Sequence, residues 1–374
     1  MMAHNQPFHQ IQSLAARDRW VMANAPIGET GLNSMKVTVS AIAKSCGLST
    51  ATVDRVLNDR QGVSAANRQR VMEAAQRLGY LPMAGAVALP SRPAALEFFL
   101  PIRQNVFMGE LADHIRDYAA RLPLVASCKI RDLHDISPAT LHAAAEKLSL
   151  DTKGVGVIAV DHPRTRSIMQ GMVDAGIKLV TIASDVPAAP RATYVGLDNR
   201  AAGRTAALLM GRLLGGLAGN IAIVTGSRSY RGHEEREMGF RAVLGEDFPQ
   251  LSVTTAVDIN EDGEASYAET LKLLRDQSDL LGIYCVGAGR FGVARAMRET
   301  RLARKPVFIC HDLTPLTRSY LVDELADMVI DQNARLTAEQ SVIQLLGSIA
   351  SSSPVIANRF IEPRLIFREN IPAQ

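Results

Sequence analysis

Residues 37–82 read VTVSAIAKSCGLSTATVDRVLNDRQGVSAANRQRVMEAAQRLGYLP, and the rest of the chain is best read outward from them. Val39, Ile42, Ala43 and Cys46 fall at i, i+3, i+4 and i+7, the single apolar stripe of a short helix. Gly47 follows, a residue that takes the left-handed conformation of a helix stop at little cost. Leu48 plugs the turn. Ser49 stands where a hydroxyl caps the next helix by accepting from the amide of Ala51 or Thr52. That second helix, Thr50 to Asn58, turns Val53, Val56 and Leu57 inward and Thr50, Ala51, Asp54, Arg55 and Asn58 outward. Ser64 caps a third, about Ala65 to Leu78, which adds Val71, Ala74, Ala75 and Leu78 to the core. Gly79 ends it and Pro82 blocks continuation.

Two short helices around a glycine turn form a helix-turn-helix, whose second helix presents its N-terminal side chains to base edges in the major groove. Arg55 is the long multi-donor side chain on the outward face, and a guanidinium bonds guanine O6 and N7 together. Thr50 and Ala51 offer a hydroxyl and methyl contacts for thymine. Ser49, Asn58, Ser64 and Asn67 are short polar groups suited to phosphates. Thr38 and Tyr80 complete the candidate DNA-contacting set. Residues 36–82 hold seven Lys and Arg against three Asp and Glu, a local +4 in a chain whose total is +3. A small basic unit joined to a nearly neutral one is the footprint of a nucleic-acid reader attached to something else.

The whole chain has 374 residues, enough for two or three domains. Its 47% apolar and 21% charged content excludes wholesale disorder. No window approaches ~18 uninterrupted apolar residues, so no membrane partner is expected. Residues 1–34 lack the apolar region of a secretory signal and read as a disordered extension, with Met35 a candidate start. Cys46, Cys128, Cys285 and Cys310 lie far apart, without metal-ligand or disulfide-framework spacing. The expectation is a reduced, cytoplasmic protein with no metal and no cofactor.

From Leu96 onward the apolar runs LEFFLP, LVASCKI, GVGVIAV, KLVTIAS, NIAIVTG, GIYCVG, PVFICH and DMVID alternate with helical stretches such as 107–121, 138–148, 164–175, 200–214, 231–244 and 292–300. Short, continuously apolar strands between helices imply parallel sheets covered on both faces. Ligands of such sheets bind beyond the strand C-terminal ends. Polar groups gather there, at Pro101–Phe107, Asp161–His162, Ser184–Asp185, Gly226–Arg236, Gly287–Gly289, His311–Asp312 and Asp331–Gln332. Asp185 before Val-Pro, like the others at strand ends, is also placed to cap a helix.

Residues 37–82 resemble, without a gap, the DNA-binding headpiece of the lactose/galactose-repressor family. The TVxRVLN-like block, the Val-Ser before the third helix and the LGYxP ending carry the likeness together. The resemblance implies that Thr50, Ala51 and Arg55 read bases. Asp54 departs from it, standing where a phosphate-meeting serine is usual. The following MAGAVALPSRPAAL aligns with a hinge helix that forms on operator DNA, and Leu89 falls at the position of its minor-groove wedge. Met83 replaces the usual asparagine there. The blocks YVGLDNRAAGRTAALLMGRLL and RGHEEREMGFRAVL extend the resemblance to the family's periplasmic-binding-protein-like core.

That likeness implies two lobes, three crossovers, a sugar-sized ligand in the cleft, and a homodimer on a palindromic operator. It puts Asn105 and Phe107 on the loop that bonds and stacks against a sugar, and Arg236, Asp312 and Gln332 among its hydroxyls. It divides the chain into a headpiece at 36–82, a hinge at 83–94 and a core at 95–370. Lobe 1 is then about 95–194 with 333–354, and lobe 2 about 195–330 with 355–370. Gly287-Ala288 stands where the family often carries Asn-Asp, so the ligand's identity does not carry across.

One motif points to an enzyme. Gly287-x-Gly289-x-x-Gly292 lies between a strand and a helix, and Asp312 follows 20 residues later, matching the dinucleotide fingerprint of a nicotinamide-dependent oxidoreductase. Several βα units precede it, and 62 residues follow Asp312, too few for the rest of a six-stranded sheet. The favoured expectation is a non-enzymatic, ligand-responsive DNA-binding repressor whose partners are double-stranded operator DNA, a sugar-like effector and a second copy of itself. The C-terminal RENIPAQ shows no heptads for a tetramerising coiled coil.

Overall fold

A computed structural model describes residues 38–57, 62–78, 80, 89–104, 106–259, 261–351 and 358–373. Expectations for residues 1–34, Asn58, the hinge up to residue 88 and Asn105 lie outside them.

The headpiece is three helices, α1 (Val39–Cys46), α2 (Thr50–Leu57) and α3 (Ala65–Arg77). Thr38 caps α1 by accepting from the amide of Ala41, and Gly47 closes it at φ +66°. Ser49 Oγ accepts from the amide of Thr52 at 3.1 Å, and Ser64 Oγ from that of Asn67 at 3.3 Å. Ile42, Val53, Val71 and Ala74 are fully buried where the helices meet. Arg70 Nη2 donates to the Cys46 carbonyl at 2.8 Å, setting a cation on the negative end of α1 and tying α3 to it.

The core begins with β1 (Ala94–Leu100), α4 (Val106–Arg121), β2 (Val125–Asp132), α5 (Pro138–Ala145), β3 (Thr152–Val157), α6 (Pro163–Asp174), β4 (Lys178–Ile182) and β5 (Thr193–Gly196). The chain then enters a second lobe. This holds α7 (Asn199–Leu213), β6 (Gly219–Thr225), α8 (Arg231–Asp247), β7 (Leu251–Asp258), α9 (Gly263–Asp276), β8 (Leu280–Cys285), α10 (Arg290–Glu299), β9 (Val307–His311), α11 (Pro315–Val322) and β10 (Met328–Asp331). Helix α12 (Ala334–Ala350) returns to the first lobe and packs on α4, β3 and β4. Strands β11 (Arg359–Phe360) and β12 (Arg364–Ile366) finish the two sheets.

The strand orders are β11-β5-β4-β3-β1-β2 and β12-β10-β9-β8-β6-β7. All pairings are parallel except β10 with β12. Each order reverses beside its first strand, at β1/β3 and at β6/β8, where a parallel sheet opens a crevice at its carboxyl edge. Sheet membership moves the expected lobe boundaries. Val195 and Gly196 pair within β5, and Arg359 and Phe360 pair with β5, so all four belong to lobe 1. The chain therefore crosses at 197–198, 332–333 and 361–363. A β-strand is assigned by its hydrogen-bonded neighbour, which the local pattern does not reveal.

Each lobe has its own apolar centre, around Phe99, Leu141, Val155 and Met169 in the first and Ile283, Val293, Phe308 and Cys310 in the second. Strand β1 is buried along its whole length, Glu97 included. That carboxylate accepts from Arg131, from the Ser149 amide at 2.9 Å and from Thr152 Oγ1 at 2.7 Å. Burial alone pushes its pKa up, but these bonds outweigh burial and hold it below the usual range. Among the described residues no helix is long and apolar enough to cross a membrane.

Candidate nucleic-acid interface and ligand cleft

Thr50, Ala51 and Arg55 are exposed together on the first turns of α2, while Val53 and Val56 anchor its other face. Ser49 and Ser64 are exposed at helix starts, and Asn67 is half-buried. Thr38 and Ser49 use their hydroxyls as caps, so each offers a phosphate only its remaining hydrogen-bonding capacity. Tyr80 is half-buried, its hydroxyl raised in pKa by burial and by the Asp54 carboxylate. Leu89 is half-buried and outside any helix.

In the core, one cavity gathers Phe107, Ser184, Arg236, Gly287, Asp312 and Gln332 from the expected set. Phe107 comes from the start of α4 in lobe 1, Ser184 from the end of β4, and Arg236 from the second turn of α8. Arg236 is buried and fixed on two sides: its Nε donates to Asn199 Oδ1 and its Nη1 to the Val286 carbonyl, both at 2.8 Å. Asn199 in turn donates to Tyr194 Oη at 3.2 Å, and Tyr194 donates to the carbonyls of Ala183 and Leu197. The guanidinium is thus positioned by the first crossover. Asp312 Oδ1 accepts from Gln332 Nε2 at 2.6 Å, and its Oδ2 lies 3.4 Å from Arg290 Nη1. The free space between these groups is about 30 Å³, a water's share of liquid and well below the ~300–1,000 Å³ of small-molecule pockets. The lobes are closed on one another. Tyr230 Oη donates to Gln104, the Gly232 amide meets Ser184 Oγ at 3.4 Å, and Arg231 lies 3.7 Å from Asp161.

Asp161, His162 and Asp185 are not brought to this cavity, for local reasons. Asp161 is held by Arg166 at 2.8 Å. His162 caps α6 by accepting from the Arg164 amide at 3.1 Å, and it borders a neighbouring hollow that shares Tyr230 and Glu261 with the cavity. Asp185 is bonded to Thr181 Oγ1, the Val186 amide and Arg191.

The cavity also holds Met108, Ala183, Tyr230, Gly232, His233 and Glu261, none of them named as a candidate, and Ala288 beside Gly287. Glu261 follows β7, an edge strand whose Ser252, Thr254 and Thr255 interrupt the apolar run that would have marked it. Burial and the nearby Arg236 hold the His233 imidazole down to about 3, so it is neutral at physiological pH. His311 is fully buried, bonded to Tyr284 Oη at 2.8 Å, and lies beneath the site. Ala183, Glu261 and Asp312 line the cavity with positive φ, and Asn333 beside Gln332 shares it. These are four of the five such non-glycine residues among those described, and left-handed backbone of this kind concentrates at ligand sites.

The glycine motif has a packing explanation. A Cβ on Gly287 would lie 2.4 Å from the His233 ring, on Gly289 2.4 Å from Ile259, and on Gly292 2.4 Å from the Tyr267 amide nitrogen. The glycines let α10 and its loop press against α9 and α8. Burial pushes the Cys285 thiol up to about 12 and Cys128 to about 11, so neither is a nucleophile at neutral pH.

Residues 38–83 match the profile of the bacterial regulatory proteins, lacI family, and residues 96–349 match that of the periplasmic binding protein domain. The chain belongs to the lacI family of bacterial regulatory proteins. It is 27% identical over 244 residues, 64% of its length and 70% of the relative's, to the HTH-type transcriptional regulator DegA of Bacillus subtilis (strain 168). It is 27% identical over 239 residues, 64% of its length and 69% of the relative's, to catabolite control protein A of Staphylococcus aureus (strain MRSA252). The fold of the core is shared with an ABC transporter solute binding protein from Burkholderia graminis solved in complex with D-arabinose. That match has a TM-score of 0.69 and 22% identity, over 75% of this chain and 96% of that one. This lacI-family regulator therefore couples a helix-turn-helix to a periplasmic-binding-protein-like core. Its relative DegA is a transcriptional regulator.

Proposed function

We propose that this regulator binds a palindromic operator as a cytoplasmic homodimer, acts as a repressor, and senses a small polyhydroxylated metabolite between its lobes. The observation that carries the reading is the single cavity in which Phe107, Arg236, Asp312 and Gln332 converge from both lobes. An aromatic plate suits the apolar face of a sugar ring, and a guanidinium, a carboxylate and an amide suit adjacent hydroxyls. Asn105 belongs to the same proposed site. The closed cavity opens by breaking the Tyr230–Gln104 and Arg231–Asp161 contacts, admits the ligand and recloses around it. Recognition of DNA is assigned to Thr50, Ala51 and Arg55, with Ser49, Asn58, Ser64, Asn67, Thr38 and Tyr80 at the backbone and Leu89 at the central step. Two-fold assembly sets two α2 helices on two half-sites.

The test is a thermal-shift screen with sugars, sugar alcohols, sugar acids, nucleosides and NADH, repeated with Arg236→Ala. A ligand at ~100 times its Kd adds ~2.7 kcal/mol, a shift of a few degrees. A polyhydroxylated ligand that stabilises the native chain and not the variant is the expected result. Stabilisation by NADH alone would overturn it. Because Arg236 also bonds Asn199 and Val286, the unliganded variant is expected to melt lower, so the comparison is made on ligand-induced shifts.

A further inference from the structure

The closed cleft keeps a second space beside the cavity already described. This outer hollow has about 510 Å³ of free volume, within the ~300–1,000 Å³ of small-molecule pockets, against about 30 Å³ in the inner cavity. Asp135, Ser137, Val160 and His162 border it from lobe 1, and Ser227 and Ser229 from lobe 2. These residues stand on the loops after β2, β3 and β6, at the carboxyl edges of both sheets, where ligands of parallel sheets bind.

Tyr230 and Glu261 line both spaces and form the partition between them. Tyr230 donates its hydroxyl hydrogen to Gln104 of the opposite lobe, and its ring lies 5.0 Å from that of His233, centre to centre. Opening the lobes breaks the Tyr230–Gln104 bond and frees the tyrosine side chain from the partition. The outer lining also has the chemistry of a sugar site. His162 accepts from the Arg164 amide at Nδ1, which leaves Nε2–H of the neutral ring to donate. Asp135 Oδ1 accepts from the Ser137 amide at 2.8 Å, and the carboxylate has further lone pairs to offer. Ser229 gives its amide hydrogen to Ser227 Oγ at 3.2 Å and keeps its own hydroxyl without a bond among the described residues. Ile136 and Pro138 add an apolar side, which suits the carbon face of a sugar ring.

We infer that the outer hollow is a second subsite, and that the effector is a glycoside of two linked polyhydroxylated units. The first unit sits among Phe107, Arg236, Asp312 and Gln332, and the second lies in the hollow beyond Tyr230. This rests on the reading above that a polyol occupies the cleft. A ligand of one unit leaves the outer groups of both lobes facing water. A ligand of two units is gripped by both lobes at two places, so its second unit adds to affinity.

The experiment is calorimetric titration of the full-length protein with single sugars and with disaccharides built from them. The probes are D-glucose, D-galactose and D-xylose against maltose, cellobiose, lactose, melibiose and xylobiose. At least one disaccharide is expected to bind about tenfold or more tightly than either of its own sugars. The titrations are repeated with Val160→Phe and Ser229→Phe, which put a ring into the hollow from different lobes. Each is expected to erase the advantage of the disaccharide. Ser229 is exposed, so its variant keeps the test available if Val160→Phe does not fold. Single sugars binding as tightly as every disaccharide would overturn the second subsite and leave the polyol reading standing. An advantage unchanged in the folded variants would also overturn it. Failure of every probe, of one unit or two, would overturn both.

Discussion

Arg55 and Arg236 are the same residue type in opposite surroundings, and the difference assigns their work. Arg55 is exposed on α2, where a guanidinium is free to reach a base edge. Arg55→Ala is expected to lose ~1–3 kcal/mol of specific binding and to relax one base position. A binding-site selection that returns unchanged preferences would refute the role. Arg236 is buried, held by an amide and a carbonyl, and reaches the cavity with one edge. Glu97 shows a third use of charge, purely structural. Its neighbours stabilise the carboxylate, so its folded pKa lies below the unfolded one. The corresponding stability is present above the unfolded pKa of ~4.3 and is lost as pH falls through the folded value. Glu97→Ala is expected to cost roughly 3 kcal/mol at neutral pH, by leaving Arg131 and the Ser149 amide without their acceptor, and to flatten the acid limb of stability. Urea denaturation between pH 3 and 7 measures both.

At the scale of elements, the headpiece helices follow from local signals that agree. An apolar stripe, a hydroxyl cap and a glycine stop all bound α1 within one residue of where it lies. The α9–α10 pair teaches the reverse. Gly289 and Gly292 look like a nucleotide motif in sequence, yet each is a glycine because a neighbouring element passes where its side chain would be. Gly292→Ala is expected to force α10 from α9 and to destabilise the protein by ~1–3 kcal/mol, read by denaturant melts. A neutral result would return the motif to a ligand role. Strand β7 was missed because an edge strand need not be continuously apolar, and Glu261 at its end went unnoticed with it.

The whole molecule works through its three crossovers. Tyr194, Asn199 and Arg236 join the first crossover to the cavity by hydrogen bonds. Opening or closing the lobes therefore acts on the same segments that hold the ligand groups. Any change in operator affinity caused by the effector must appear, by the same factor, as a change in effector affinity caused by the operator. Titrating effector with and without operator DNA measures this, and a factor of one would show that the two sites are not coupled. Operator affinity is also expected to fall steeply with salt, through release of counterions from the phosphates that the basic headpiece meets. A flat salt titration would remove the phosphate contacts from the account.

Much of this was legible in the linear chain. The headpiece, the βα alternation and the placing of polar groups at strand ends depend on periods of a few residues, and sequence displays those directly. Phe107, Arg236, Asp312 and Gln332 lie in such strand-end stretches, and the family resemblance singled them out. Folding alone settled which strand-end groups meet. Asp161, His162 and Asp185 carry the same local signature but are taken by caps and ion pairs. Glu261 and His233 line the cavity although neither was named for it. Lobe membership of β5 and β11 depended on hydrogen-bond partners distant along the chain. Periodicity is a property of neighbours in sequence. A cleft is made by neighbours in space, and their burial, charge pairing and close approach exist only once the chain has folded.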